Sequence, residues 1–167
     1  MKNQIKRNYL EIKSLNELVI EKKPSDILNI TKIDPNDFQL NKFFYKQIGK
    51  NHKWVDRLIW SDKVWSDYSS VNGVKTYVLK EKDELVGYFE QIFSKENLDC
   101  EIAYFGILEE YIGKKLGGYL LSEAIKKSFE IGSKRVWVHT CSLDHKHALN
   151  NYISRGMKVF QTEIINL

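Results

Sequence analysis

Three groups of residues in this chain are placed to do chemistry, and the clearest is a set of glycines beside two lysines. Gly113, Gly117 and Gly118 surround Lys114, Lys115 and Leu116 where a helical pattern begins. Glycine lets a ligand approach the backbone closely. The first amides of a helix have no partner within it, and together with the helix dipole they favour an anion. The two lysines add positive charge. The chemistry expected there is the holding of a phosphate or diphosphate, set against plain helix packing by the same glycines. The P-loop is excluded, because Gly113-Lys114-Lys115 lacks the terminal Ser or Thr. The dinucleotide fingerprint is excluded, because this strand–helix unit is late in the chain and its glycines are mispaced.

The second group is a single carboxylate. Cys100–Leu108 is an apolar, β-rich run in which only Glu101 is charged. Burial raises the pKa of a carboxylate towards the range where it can exchange a proton. Glu101 is therefore a base candidate, or an anchor for an ammonium or a lysine. The third group is aromatic and imidazole. Trp54, Trp60 and Trp65 fall with Tyr45 and Tyr68 in one helical region. Helical spacing makes core packing the default, and an aromatic wall for an alkyl-amine is the alternative. His139 ends a strand pattern and can face such a site, as can Tyr104. His145, His147 and Asp144 are too thin a set for a metal. Cys100 and Cys141 have no partner at metal-ligand spacing. No metal is expected.

The elements that would position these groups are legible from periodicity. Tyr9–Ile12 and Ile27–Ile33 read as strands, with a turn over Lys22–Asp26. A helix capped by Asp34 or Asn36 carries Phe38, Phe43, Phe44 and Ile48 and ends at Gly49. A second helical stretch covers Trp54–Tyr68, with a fresh start at Ser61. Thr76–Leu79, Leu85–Phe93 and Cys100–Leu108 form an antiparallel meander. The pattern then alternates: a helix from Leu116 to Gly132, a strand at Arg135–Thr140, a helix at His145–Arg155 closed by Gly156, and a last strand at Met157–Ile164.

On these residues a family resemblance rests. The runs Glu101–Leu121 (EIAYFGILEEYIGKKLGGYLL) and Val136–Phe160 (VWVHTCSLDHKHALNNYISRGMKVF) resemble the GNAT family of N-acetyltransferases. Tyr152-Ile153-Ser154-Arg155-Gly156-Met157 is similar to that family's Tyr-x-x-x-Gly-Phe. The segment Phe43–Trp65 resembles a bacterial subgroup of it. In the Arg/Gln-x-x-Gly-x-Gly/Ala signature, Ile112 stands at the Arg/Gln position and Lys115 at the middle glycine, with Gly117 last. Lys115 there crowds a diphosphate or salt-bridges it, and Gly118 offers room in compensation.

The resemblance implies acetyl-CoA as co-substrate and direct attack by a primary amine of a small molecule. It implies that the pantetheine arm lies between two splayed strands, along Phe105, Ile107 and Leu108. It implies a diphosphate site on Ile112, Gly113, Lys114, Lys115, Leu116, Gly117 and Gly118, with His145 and Asn150 steadying the arm. Glu101 is then the base and Tyr152 the acid that protonates the leaving thiolate. Trp54, Trp60, Trp65, Tyr104 and His139 line the acceptor side.

Bulk properties fit this expectation. The 167 residues suit one domain spanning 1–167. A net charge of +4 can hold an anionic cofactor as well as nucleic acid, and no basic stripe marks the latter. Neither a signal peptide nor a membrane span is legible, and two cysteines suit a reducing compartment, so a cytoplasmic protein is expected. The expected fold is α/β: a mixed sheet of six or seven strands, antiparallel in its N-terminal part and splayed centrally, with about four helices. A non-catalytic acyl-CoA sensor and an enzyme acting on protein amines are the alternatives. A homodimer is left open.

Overall fold

Alternating apolar residues make strands that need a partner on each side, and the chain supplies seven of them. A computed structural model describes residues 4–166. Strands β1 (Gln4–Ile12), β2 (Leu28–Lys32), β3 (Val74–Glu81), β4 (Glu84–Ser94), β5 (Asp99–Ile107), β6 (Arg135–Cys141) and β7 (Lys158–Asn166) form one sheet in the order β2-β3-β4-β5-β6-β1-β7. Helices α1 (Phe38–Gly49), α2 (Asp62–Ser69), α3 (Leu116–Glu130) and α4 (Ala148–Ser154) complete the α/β fold. The meander β3-β4-β5 is antiparallel, as the sequence predicts.

The pairing of β5 with β6 is parallel and spans only Asp99↔Arg135, Cys100↔Val136 and Glu101↔Trp137. Beyond Glu101 the two strands part, although β5 continues to Ile107 and β6 to Cys141. The expected splay is therefore present, and its root is at Glu101.

Each face of the sheet has its own core. Leu10 and Ile12 of β1 lie opposite Val138 and Val136 of β6, and this face packs on Leu120, Leu121, Ala124 and Ile125 of α3. On the other face Phe44 and Ile48 of α1 pack on Val78 and Tyr88, with the Phe44 and Tyr88 rings stacked 5.0 Å apart. Because Tyr9↔His139 and Arg7↔Cys141 alternate with the α3-facing pairs, those side chains stand on the face turned away from α3.

Three local readings change. Residues 54–60 are irregular rather than helical; the chain turns at Lys53, which has a φ of 56°, and α2 begins afresh where the Ser61 hydroxyl accepts from the Val64 amide at 3.2 Å. Helix α4 starts at Ala148, later than expected. Asp144 does not cap it, because its carboxylate accepts from the Thr140 hydroxyl (2.6 Å) and the Cys141 amide (3.0 Å) instead. Strand β1, whose neighbours the sequence does not specify, lies between β6 and β7 and is antiparallel to both.

Gly156 closes α4 with a φ of 103°, and a Cβ there would run into the Glu17 carbonyl oxygen. Gly156→Ala is expected to lower stability by about 1–3 kcal/mol from the left-handed backbone alone. A urea midpoint that moves by less than the wild-type error would contradict this.

Candidate active site

The parting of β5 and β6 opens a cleft of about 900 Å³ through the sheet. Its two mouths differ. Towards α3 and α4 it is lined by Phe105, Ile107, the turn Ile112–Gly113, the start of α3 and Tyr152. On the opposite face it is lined by Trp54, Asp56, Tyr104, His139 and Arg7.

The backbone of β5 explains why the first mouth can hold a ligand. The Leu108 amide donates to the Val86 carbonyl at 2.8 Å. In an antiparallel ladder alternate residues point their polar groups to the same neighbour. Leu108, Gly106 and Tyr104 therefore turn theirs to β4, and Phe105 and Ile107 turn theirs into the gap that β6 has left. Leu108 differs from the sequence expectation here: its amide is spent in the sheet and its side chain is buried.

The glycine turn sits at the end of this gap. Gly113 has a φ of 87° and nothing within 4 Å of where a Cβ would stand. Lys115 precedes α3 in the left-handed region, with a φ of 61°, and lines the cleft. Lys114 does not line it; its ammonium lies 5.0 Å from the Tyr111 ring. The room expected at Gly118 is occupied, because a Cβ there would meet Arg155 Nη1 at 2.7 Å, and Arg155 is held by Glu21 at 2.7 Å. Gly117 is tied to α4 through Asn151, whose Nδ2 donates to the Gly117 carbonyl at 3.2 Å. Asn151 is a cleft residue that the sequence reading missed. His145 and Asn150 also line the cleft.

Tyr152 projects from α4 across the gap, with its ring 6.4 Å from that of Phe105. It is buried, and burial, with Asp144 nearby, pushes its phenol above the usual tyrosine range. The phenol thus stays protonated at neutral pH. On the opposite face, His139 is open to the cleft mouth, and partial loss of water around its ring and then the charge of Arg7 hold the imidazole below its usual range.

Glu101 lies at the root of the splay, where β5 and β6 still pair, and does not line the cleft. Burial and then the neighbouring Glu90 raise its pKa.

Trp60 and Trp65 stand outside the cleft, and the reason is Arg57. Its guanidinium makes a bidentate pair with the buried Glu90, Nη1 to Oε2 at 2.8 Å and Nη2 to Oε1 at 2.9 Å. Asn41 (2.7 Å) and Tyr68 (2.5 Å) also donate to that carboxylate. Rings surround the cation: Tyr68 and Tyr104 at 4.4 Å, Trp60 at 4.8 Å and Trp65 at 5.6 Å. The tryptophan density therefore surrounds a buried ion pair, and of the three tryptophans only Trp54 lines the cleft. Burial also pushes the Tyr104 phenol up to about 12.

Among the described residues no group of His, Cys, Asp and Glu could hold a metal, and no helix is long and apolar enough to cross a membrane.

Known proteins agree with this architecture. The protein-family model described as the acetyltransferase (GNAT) family matches residues 38–157. An aminoglycoside acetyltransferase from an uncultured soil metagenomic sample, solved with trehalose, superposes with a TM-score of 0.71 at 14% identity, over 87% of this chain and 97% of that one. The same protein solved with sisomicin superposes equally well, at 13% identity over the same shares. A GCN5-related N-acetyltransferase from Sphaerobacter thermophilus gives a TM-score of 0.73 at 14% identity, over 96% of this chain but only 50% of that one. No curated protein matches the sequence.

Proposed function

Because the chain belongs to the GNAT family of acetyltransferases, we propose that it transfers an acetyl group from acetyl-CoA to a primary amine of a small molecule. The observation that carries this reading is the gap beyond Glu101, where Phe105 and Ile107 turn unpaired backbone groups towards a second strand that has moved away. A pantetheine arm has amides of its own and completes such an edge as a third strand would.

The residues fit the co-substrate. The open turn at Gly113 and the first amides of α3, with Lys115 beside them, would hold the diphosphate. When bound, acetyl-CoA supplies an acyl carbon activated by a thiol leaving group. The Ile107 amide, turned into the gap, would hold the acyl oxygen as negative charge develops on it. Tyr152, a phenol protonated at neutral pH that projects across the gap, would donate its proton to the departing sulfur.

An alkyl-amine is mostly protonated at neutral pH and must lose a proton before it attacks. Two groups on the acceptor face can take it. His139 lines the cleft and is held neutral, so it accepts the proton directly. Glu101, the base implied by family resemblance, sits at the root and acts only through water. The cleft geometry favours His139, and Glu101 is the second reading. Cys100 and Cys141 are both free thiols, in keeping with a cytoplasmic site of action.

The test is thiol release from acetyl-CoA with a panel of small amines. Turnover with at least one acceptor supports the reading; acetyl-CoA binding without release across a broad panel replaces it with a sensor. Tyr152→Phe is expected to lower kcat about 100-fold while the affinity for acetyl-CoA stays within about twofold. Pre-steady-state thiol release checks this, and an unchanged rate would remove Tyr152 from the chemistry.

A further inference from the structure

The proposed acceptor mouth holds a cation whose only part in the transfer reaction so far is its charge effect on His139. Arg7 lines the cleft from β1, on the same face as His139. Among the described residues its buried Nε has no hydrogen-bond partner and the guanidinium makes no ion pair. The carboxylate opposite it in the sheet is Glu163 on β7. That carboxylate is taken: Oε2 accepts from the Tyr9 hydroxyl at 3.0 Å and Oε1 from Gln161 at 3.1 Å. The other acids of the cleft are placed elsewhere. Glu21 holds Arg155, and Asp144 holds the Thr140 hydroxyl and the Cys141 amide. Asp56 stands on the far wall, on the segment that carries Trp54.

A buried, unpaired donor is costly to a folded protein. A guanidinium is a fork matched to two oxygens of one group. We infer that the acceptor amine carries an oxyanion, a carboxylate or a phosphate, and that Arg7 binds it while the amine lies by His139. This rests on the acetyl-transfer reading and names its acceptor class. It also sets the chain apart from an enzyme for polycations, for which an acceptor wall with one free carboxylate and an unpaired arginine is poorly suited.

The test compares matched acceptors: β-alanine with β-alaninamide, and O-phosphoethanolamine with ethanolamine. The anionic member of at least one pair should have the higher kcat/KM by about tenfold or more, the size of one charge-assisted hydrogen bond. Which pair shows the preference tells carboxylate from phosphate. In Arg7→Gln that ratio should fall to within about twofold of unity, and Arg7→Lys should restore part of it. A purely structural role would lower both members alike and leave the ratio unchanged, which would overturn the proposal, as would a wild-type preference for the neutral members.

A second readout does not need turnover. The Arg7 Nε–Hε cross-peak in a ¹⁵N spectrum should move on titration with β-alanine or O-phosphoethanolamine and not with the neutral partners. A peak that stays still with both anions sinks the oxyanion site. A peak that moves in a protein that releases no thiol with any amine keeps the site and sinks acetyl transfer.

Discussion

His139→Gln is expected to lower kcat/KM by two to three orders of magnitude, the contribution of a positioned general base. Glutamine keeps much of the shape and can still hydrogen-bond, but it cannot take a proton. The wild-type pH profile should show an acid limb below the usual histidine range near 6.5. The sign follows from the site: partial loss of water around the ring and the charge of Arg7 both oppose the imidazolium, so the neutral, proton-accepting form persists to lower pH. Activity should rise as pH climbs through that lowered value and then level off. In His139→Gln the limb should vanish. Glu101→Gln should retain the limb and lose less than about fivefold, since Glu101 lies outside the cleft. The opposite pattern, a large loss in Glu101→Gln with the limb removed, would assign the proton to the carboxylate at the root of the splay.

The second large effect is on stability. Arg57→Ala leaves the Glu90 carboxylate fully buried with Asn41 and Tyr68 as partners but no cation. Breaking a buried pair in this way costs about 3–5 kcal/mol, because an uncompensated charge remains inside. Urea unfolding should show this loss, with a smaller loss in Arg57→Met combined with Glu90→Met, which removes both charges and keeps volume. The pair also has a functional consequence. Arg57 anchors the irregular segment 50–61, which brings His52, Trp54 and Asp56 to the mouth of the cleft proposed for the acceptor. The acceptor KM should therefore rise in Arg57→Ala, with little change in the affinity for acetyl-CoA at the other mouth. If the double variant proves as unstable as the single one, the buried charge is not the cause.

Local order was written plainly in the chain. Short β-rich runs marked β3 and β4, an apolar run with one charge marked β5, period-3.6 apolar positions marked α1 and α3, and glycines marked the turn before α3 and the end of α4. Each of these depends on residues a few positions apart. The anion site proposed there is local in the same sense, since a helix start needs only its own amides. Tyr152 and Gly156 share one helix and its closing turn, and so could be read as a unit.

What the sequence left open depended on partners far along the chain. Arg57 meets Glu90 across 33 residues, and only that meeting turns Trp60 and Trp65 from a binding wall into the surroundings of an ion pair. Strand β1 shows an apolar alternation that any sheet edge could satisfy; its place between β6 and β7 is what sets Arg7 beside Cys141 and Tyr9 beside His139. Glu101 is the residue at which the parallel pairing of β5 with β6 ends, and that position is set by the assembled sheet. Periodicity states which face of an element avoids water. It does not state which other element will cover that face, because burial is non-directional and many partners satisfy it equally. That choice belongs to the whole packed sheet, and with it the acceptor wall.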